Sequence, residues 1–177
     1  MRILPSTSSV QPGNQQLPNE SNFQRCLDAA YRYLNYRPRS EGEMRQRLRQ
    51  RGFDSEAIEK TISKLTELHL SDDVAFAEFW RDNRLAFKLK SKRLIQKELR
   101  DKRVTPETAE QVTRDIDDEA NAYKLGCSRM RSLAQLDYPD FHRRLTSYLG
   151  YRGFGYEVIK RTIALLWQDR ERHWGQH

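Results

Sequence analysis

From residue 23 to residue 170, apolar side chains recur at threes and fours, as in Leu27, Ala30, Tyr31 and Leu34 and again in Ile58, Ile62 and Leu65. That spacing lines one side of a 3.6-residue helix and predicts an all-α chain; no stretch alternates as a half-buried strand would. Pro38 closes the first helix, and Ser40 with Glu43 predicts a capping box opening the second. Gly52 ends that second helix, because a left-handed residue past the last turn is costly for side chains with a Cβ. Phe53 is placed to pack back over the corner, and Asp54 or Ser55 to cap the third helix. Asp72 and Asp73 after Ser71, then Ser91, Thr105 before Pro106, and Asp140 after Pro139, predict the later helix starts.

The pattern repeats. With Leu48, Leu99 and Leu149 in register, Met44, Ile95 and Leu145 align four positions earlier, and Phe53, Val104 and Phe154 five later. Ile58, Ala109 and Ile159 follow, then Leu65, Ile116 and Leu166. Five apolar positions shared by three copies predict three tandem three-helix repeats, over residues 23–70, 71–116 and 117–170. A unit of this size buries little by itself, so the copies should lean on one another as an elongated, curved body. Arg51-Gly52-Phe53 and Arg152-Gly153-Phe154 then form the same helix-ending corner, whereas the middle copy reads Lys102-Arg103-Val104 and lacks the glycine. Residues 1–22 hold three of the six prolines and predict a disordered tail; residues 171–177 are a short C-terminal tail.

Charge adds a direction to this scaffold. The net charge is +7, from 32 basic and 25 acidic residues. It is banded: residues 36–52 carry six arginines against two glutamates, residues 84–103 nine cations against two acids, and residues 104–122 one arginine against six acids. Such separation offers a basic surface to a polyanion or to an acidic protein. The candidate contacts are Arg45, Arg47, Arg49 and Arg51 in the first copy, and Lys88, Lys90, Lys92, Arg93, Lys97 and Arg100 in the second. The third copy adds Arg143, Arg144 and Arg152. A 100° step per residue sets Arg93, Lys97 and Arg100 opposite Leu94, Ile95 and Leu99. Phosphates and carboxylates both suit guanidinium forks, and the residues leave the two uses open. Phe76, Phe79, Trp80 and Phe87 form an aromatic stripe whose helical spacing predicts core, with Trp80 as an exposed anchor the alternative.

Several classes are excluded. No apolar run approaches the ~20 residues of a membrane span, and the N-terminus lacks a secretory signal, so a soluble, cytoplasmic chain is expected. Cys26 and Cys127 are expected to be free thiols, and the histidines at 69, 142, 173 and 177 have no metal-site spacing. There is no phosphate-binding glycine loop and no nucleophile elbow. Asp72 and Asp73 suit helix capping better than metal ligation, and Asp115, Asp117, Asp118 and Glu119 suit a solvated helix junction. No catalytic residue, cofactor or metal is expected.

The runs RPRSEGEMRQRLRQRGF, LHLSDDVAFAEFWRDNR and KSKRLIQKELRDKRV resemble the RecX family of regulatory proteins, over about residues 25–170. The resemblance implies three tandem three-helix repeats and a monomeric, non-enzymatic regulator of the RecA recombinase. Such a protein would bind RecA and its filaments on single-stranded DNA, and single- or double-stranded DNA itself; it would restrain ATP hydrolysis, filament extension and strand exchange. This sequence departs from the family at Lys102-Arg103-Val104, where the corner glycine is absent, and in its longer tail. A sequence-specific DNA-binding regulator is the competing reading, since three helices with a tight corner can form a helix-turn-helix.

Overall fold

The computed structural model describes residues 18–174, and every regular element among them is a helix. They are α1 (Pro18–Tyr36), α2 (Glu41–Gln50), α3 (Ser55–Glu67), α4 (Asp73–Phe87), α5 (Lys92–Asp101), α6 (Pro106–Thr113), α7 (Asp118–Leu133), α8 (Tyr138–Tyr151) and α9 (Tyr156–Trp174). The expected N-terminal tail lies outside the described residues as far as residue 17; residues 18–22 belong to α1. Residues 171–174, expected as tail, extend α9, and 175–177 lie outside the described residues.

The helices form three bundles in series, α1–α3, α4–α6 and α7–α9, and every well-packed helix pair lies within one bundle. Each bundle owns a separate core. The register positions fill them: Met44, Ile95 and Leu145, and Leu48, Leu99 and Leu149, are almost wholly buried. Phe53 and Ile116 are only partly buried. α6 stops at Thr113, which leaves Ile116 in the link to α7 rather than on a helix. Of the α4 aromatic stripe, Phe76 is buried and stacks on a half-buried Trp80, but Phe79 and Phe87 are exposed. α4 packs chiefly on α5 and α6, and Phe79 and Phe87 lie off that packed face. Both cysteines are free; Cys26 is buried and Cys127 exposed.

The corner is built three times with one geometry. The N–H groups of Phe53, Val104 and Phe154 donate to the carbonyls of Leu48, Leu99 and Leu149 at 3.4, 3.1 and 3.3 Å. The preceding residues, Gly52, Arg103 and Gly153, have φ of +85°, +65° and +89°. This double-bonded helix end satisfies carbonyls that have no partner inside the helix. The middle repeat therefore keeps the corner without its glycine, holding Arg103 in a conformation that costs a residue with a Cβ roughly 1–2 kcal/mol.

Capping is mostly as the spacing predicts. Ser40, Asp54, Asp72, Ser91 and Thr105 each accept from a backbone N–H in the first turn of α2 to α6. Two expectations are corrected. Glu43 does not complete a capping box, because Arg37 and Lys102 hold its carboxylate at 2.9 and 3.2 Å. α8 starts earlier than expected, capped by Asp137, which accepts from the N–H of Asp140.

Neighbouring bundles meet at helix ends. The start of α2 docks on the α5–α6 corner: the Ser40 hydroxyl donates to the Lys102 carbonyl, and Arg103 Nε donates to Gln46 at 2.9 Å. The start of α5 docks likewise on the α8–α9 corner, where the Ser91 N–H donates to the Arg152 carbonyl at 3.0 Å. Ser40 and Ser91 are fully buried by these contacts. A second bracket accompanies each. Asp73 accepts from the Glu41 N–H and Asp118 from the Lys92 N–H, both at 2.8 Å. Asp73 thus ties two repeats together while Asp72 caps, and Asp118 is a bracket within what the spacing predicts as a merely solvated junction. Burial raises both carboxyl pKa values above the ordinary 3.8.

Candidate polyanion-contact surface

In the second repeat the cations are answered by acids. Glu98, on α5, accepts from Trp80 Nε1 at 2.9 Å, from Arg84 Nε at 2.6 Å and from Lys90 Nζ. Burial alone would raise the Glu98 pKa, but hydrogen bonds from Lys90, Arg84 and Trp80 outweigh it and hold the carboxyl below its usual range. Arg84 and Lys102 stack over the Trp80 ring at 4.0 and 4.1 Å. Lys102 also reaches Glu43 across the joint. Burial opposes ionisation of Glu43 too, and Arg37 and Lys102 reverse the balance, so its pKa is lowered.

The first repeat carries the opposite charge at the corresponding place. The register aligns Glu98 with Arg47. Arg47, Arg51 and Arg39 each stand with the guanidinium carbon 5.4 Å from the centroid of Tyr33. α1 supplies the ring, the α1–α2 link supplies Arg39, and α2 with its C-cap supplies Arg47 and Arg51. Arg39 Nε also donates to the Tyr33 carbonyl at 3.1 Å.

The other candidates divide into engaged and free. Arg45 is held by Glu41 and Glu59 at 3.0 and 3.2 Å, and Arg143 by Asp140 at 2.7 Å. Lys92 Nζ approaches the Arg114 carbonyl, and Arg152 lies over Tyr148 and donates to the Lys88 carbonyl. Arg93, Lys97 and Arg100 are exposed along α5, opposite the buried Ile95 and Leu99, and form no ion pair among the described residues. Arg49, Lys88 and Arg144 are likewise exposed and unpaired there.

Tyr33 lies outside the basic runs, and Arg39 and Arg84 fall inside them without being among the expected contacts. The available sign of where they gather is the register, in which Arg47 and Glu98 exchange charge at one position. Among the described residues, no three His, Cys, Asp or Glu side chains converge as a metal site, and no helix is long and apolar enough to cross a membrane.

Similarity to known proteins follows the same division of the chain. The RecX first, second and third three-helix domains match residues 26–65, 72–112 and 117–163. A regulatory protein RecX of Amycolatopsis mediterranei (strain U-32) is 33% identical over 155 residues, covering 84% of this chain and 89% of that protein. One from Mycobacterium sp. (strain JLS) is 33% identical over 178 residues, covering 95% of each. Among solved structures, the crystal structure of RecX from Lactobacillus salivarius superposes with a TM-score of 0.73 at 22% identity, covering 84% of this chain and 98% of that one. That likeness extends the three-bundle fold to an experimental structure. With its three domains in order along nearly its whole length, the chain belongs to the RecX family of regulatory proteins.

Proposed function

We propose that this chain is a non-enzymatic regulator that binds the RecA recombinase and its filaments on single-stranded DNA, acting in the cytoplasm as a monomer. In that role it restrains ATP hydrolysis, filament extension and strand exchange. Family membership supports the reading, and the observation that carries it is the exposed, unpaired face of Arg93, Lys97 and Arg100 in the middle of a serial array. An array of small bundles matches an extended partner, and a basic face suits a nucleoprotein. The competing recognition-helix reading is disfavoured by the acidic first turns of the third helices, at Glu56, Glu107 and Glu157. These would meet a phosphate backbone with like charge.

The test is a titration of the purified protein into RecA on single-stranded DNA. ATP turnover should fall at substoichiometric ratios, and unchanged turnover at equimolar protein overturns the proposal. Reversal of Arg93, Lys97 and Arg100 to Glu together should weaken filament binding with the helical spectrum intact.

A further inference from the structure

The corner of the first repeat carries cations that form no ion pair among the described residues. In the second repeat Glu98 and Glu43 answer Arg84, Lys90 and Lys102. In the third, Arg152 donates to the Lys88 carbonyl of the repeat before it. Arg51 is the counterpart of Lys102 and Arg152, but among the described residues no bundle docks on its corner. Nothing lies within 4 Å of where a Cβ on Gly52 would sit, whereas one on Gly153 would strike Leu94 at 2.6 Å. Arg47, in place of the Glu98 carboxylate, adds a cation where the second repeat has an anion.

The result is three guanidiniums gathered on one ring, any two of them within twice the 5.4 Å that separates each from the Tyr33 centroid. Arg47 and Arg51 donate to no acceptor among the described residues, and the Tyr33 hydroxyl is buried without a partner. The guanidinium of Arg39 is correspondingly held below its usual pKa, first by burial and then by the charge of Arg37, with Arg47 adding to it. Glu43 offsets part of this at Arg39, but its carboxylate is bonded to Arg37 and Lys102, and the two donors of α2 and its C-cap, Arg47 and Arg51, keep no acceptor; that arrangement describes a site for an oxyanion.

We propose that Arg39, Arg47 and Arg51, assembled on Tyr33, form an oxyanion site that takes the phosphodiester backbone of a nucleic acid. The phosphate supplies from outside the counter-charge that Glu98 supplies from within the second repeat. A single protein carboxylate would leave most of the three charges unanswered. A strand brings successive phosphates and so answers more than one of the three charges; the exposed, unpaired Arg49 lies about 200° round the same helix from Arg47, outside the cluster. That the strand is single rests on the proposed function; the site itself rests on the cluster.

The experiment uses the full chain without recombinase, titrated with a labelled single-stranded oligothymidine and read by anisotropy across a range of salt. Arg47→Glu installs the acid that the second repeat carries. It should lower affinity about tenfold and flatten the log–log salt dependence by roughly one phosphate or more, with an unchanged helical spectrum. Arg49→Glu makes the same charge change outside the cluster and should cost less than about threefold. Should Arg47→Glu fail to fold, Arg51→Gln at the solvent-exposed corner takes its place, with a loss of about threefold expected. Wild-type binding by the folded variant overturns the site, as does an equal loss from Arg49→Glu, which marks a diffuse field. Intact oligonucleotide binding by Arg47→Glu, with weakened attachment to RecA in a separate DNA-free binding assay, overturns it too, by assigning the site to a protein carboxylate. Since recombinase is absent from the titration, a negative result leaves the ATPase test of the proposed function standing.

Discussion

Between the first and second repeats the glycine that permits close approach is Gly42, on the docking helix, where an added Cβ would lie 2.3 Å from the Cβ of Arg103 in the corner. Between the second and third repeats the glycine is Gly153, in the corner, and the docking helix bears Leu94. Each joint omits one Cβ, on opposite sides. This accounts for the corner that lacks its glycine: the space is made across the joint by Gly42, and only the left-handed backbone of Arg103 remains as a cost. The joints also differ in polarity. Lys102 meets Glu43 and Arg103 meets Gln46 in the first, whereas Leu89 packs against the third core in the second. One architecture thus tolerates a polar joint and a partly apolar one, provided the serine contact and the aspartate bracket are kept.

Substitutions can break this comparison. The largest effect is expected for Gly153→Ala, which meets both the left-handed backbone and the Leu94 contact and should cost about 2–4 kcal/mol in urea unfolding. Gly52→Ala has the same backbone demand in open space and should cost only about 1 kcal/mol. Equal losses would show that the second joint adds nothing to stability. Next, Glu98→Ala leaves Arg84 and Lys90 without their shared carboxylate and should cost about 2 kcal/mol, read from the thermal midpoint. Gly42→Ala should cost about 1–2 kcal/mol, since the clash with Arg103 exceeds the helix-propensity gain of alanine. A stabilised variant would mean that the first joint opens freely.

The smallest effects are those of pH, and they oppose one another. Glu43 and Glu98 have folded pKa values below the ordinary 4.5, so their stabilisation is present above pH 4.5 and is lost as pH falls through the lowered values. Asp73 and Asp118 are raised above 3.8; their charged forms disfavour folding at neutral pH, and that cost disappears as pH falls through the raised values. Glu43→Gln with Glu98→Gln should flatten the loss of stability below pH 4.5 in acid titrations. Asp73→Asn, which keeps the acceptor for the Glu41 N–H, should be more stable than the wild type at pH 7 by less than about 1 kcal/mol.

The repeat register was legible because Leu48, Leu99 and Leu149 and their companions answer to local helical period and to burial, both of which leave a mark every three or four residues. The joints were not, because Ser40 and Lys102 lie 62 residues apart and meet through a hydroxyl and a carbonyl. No local pattern distinguishes a serine that only caps from one that also docks. The doublets Asp72-Asp73 and Asp117-Asp118 were the available sign of the brackets, one aspartate to cap and one to cross. Basic runs misled for the same reason. Arg45 and Arg47 are two residues apart on one helix, yet Arg45 is answered by Glu41 and Glu59 while Arg47 faces Tyr33 and two other arginines. Which cation is free depends on where the acids fold to, as the exchange of Arg47 for Glu98 shows.

The helix-end joints also set how the molecule deforms. Bending at residues 40–42 against 102–103, or at 91–94 against 152–153, strains a few hydrogen bonds worth about 1 kcal/mol each in net terms. Distorting a bundle opens a core in which a leucine truncated to alanine costs about 2–5 kcal/mol. In mechanical terms the chain is three stiff beads on two compliant couplings. Laid along a curved support, such a chain would take up the curvature at the couplings rather than within a bundle.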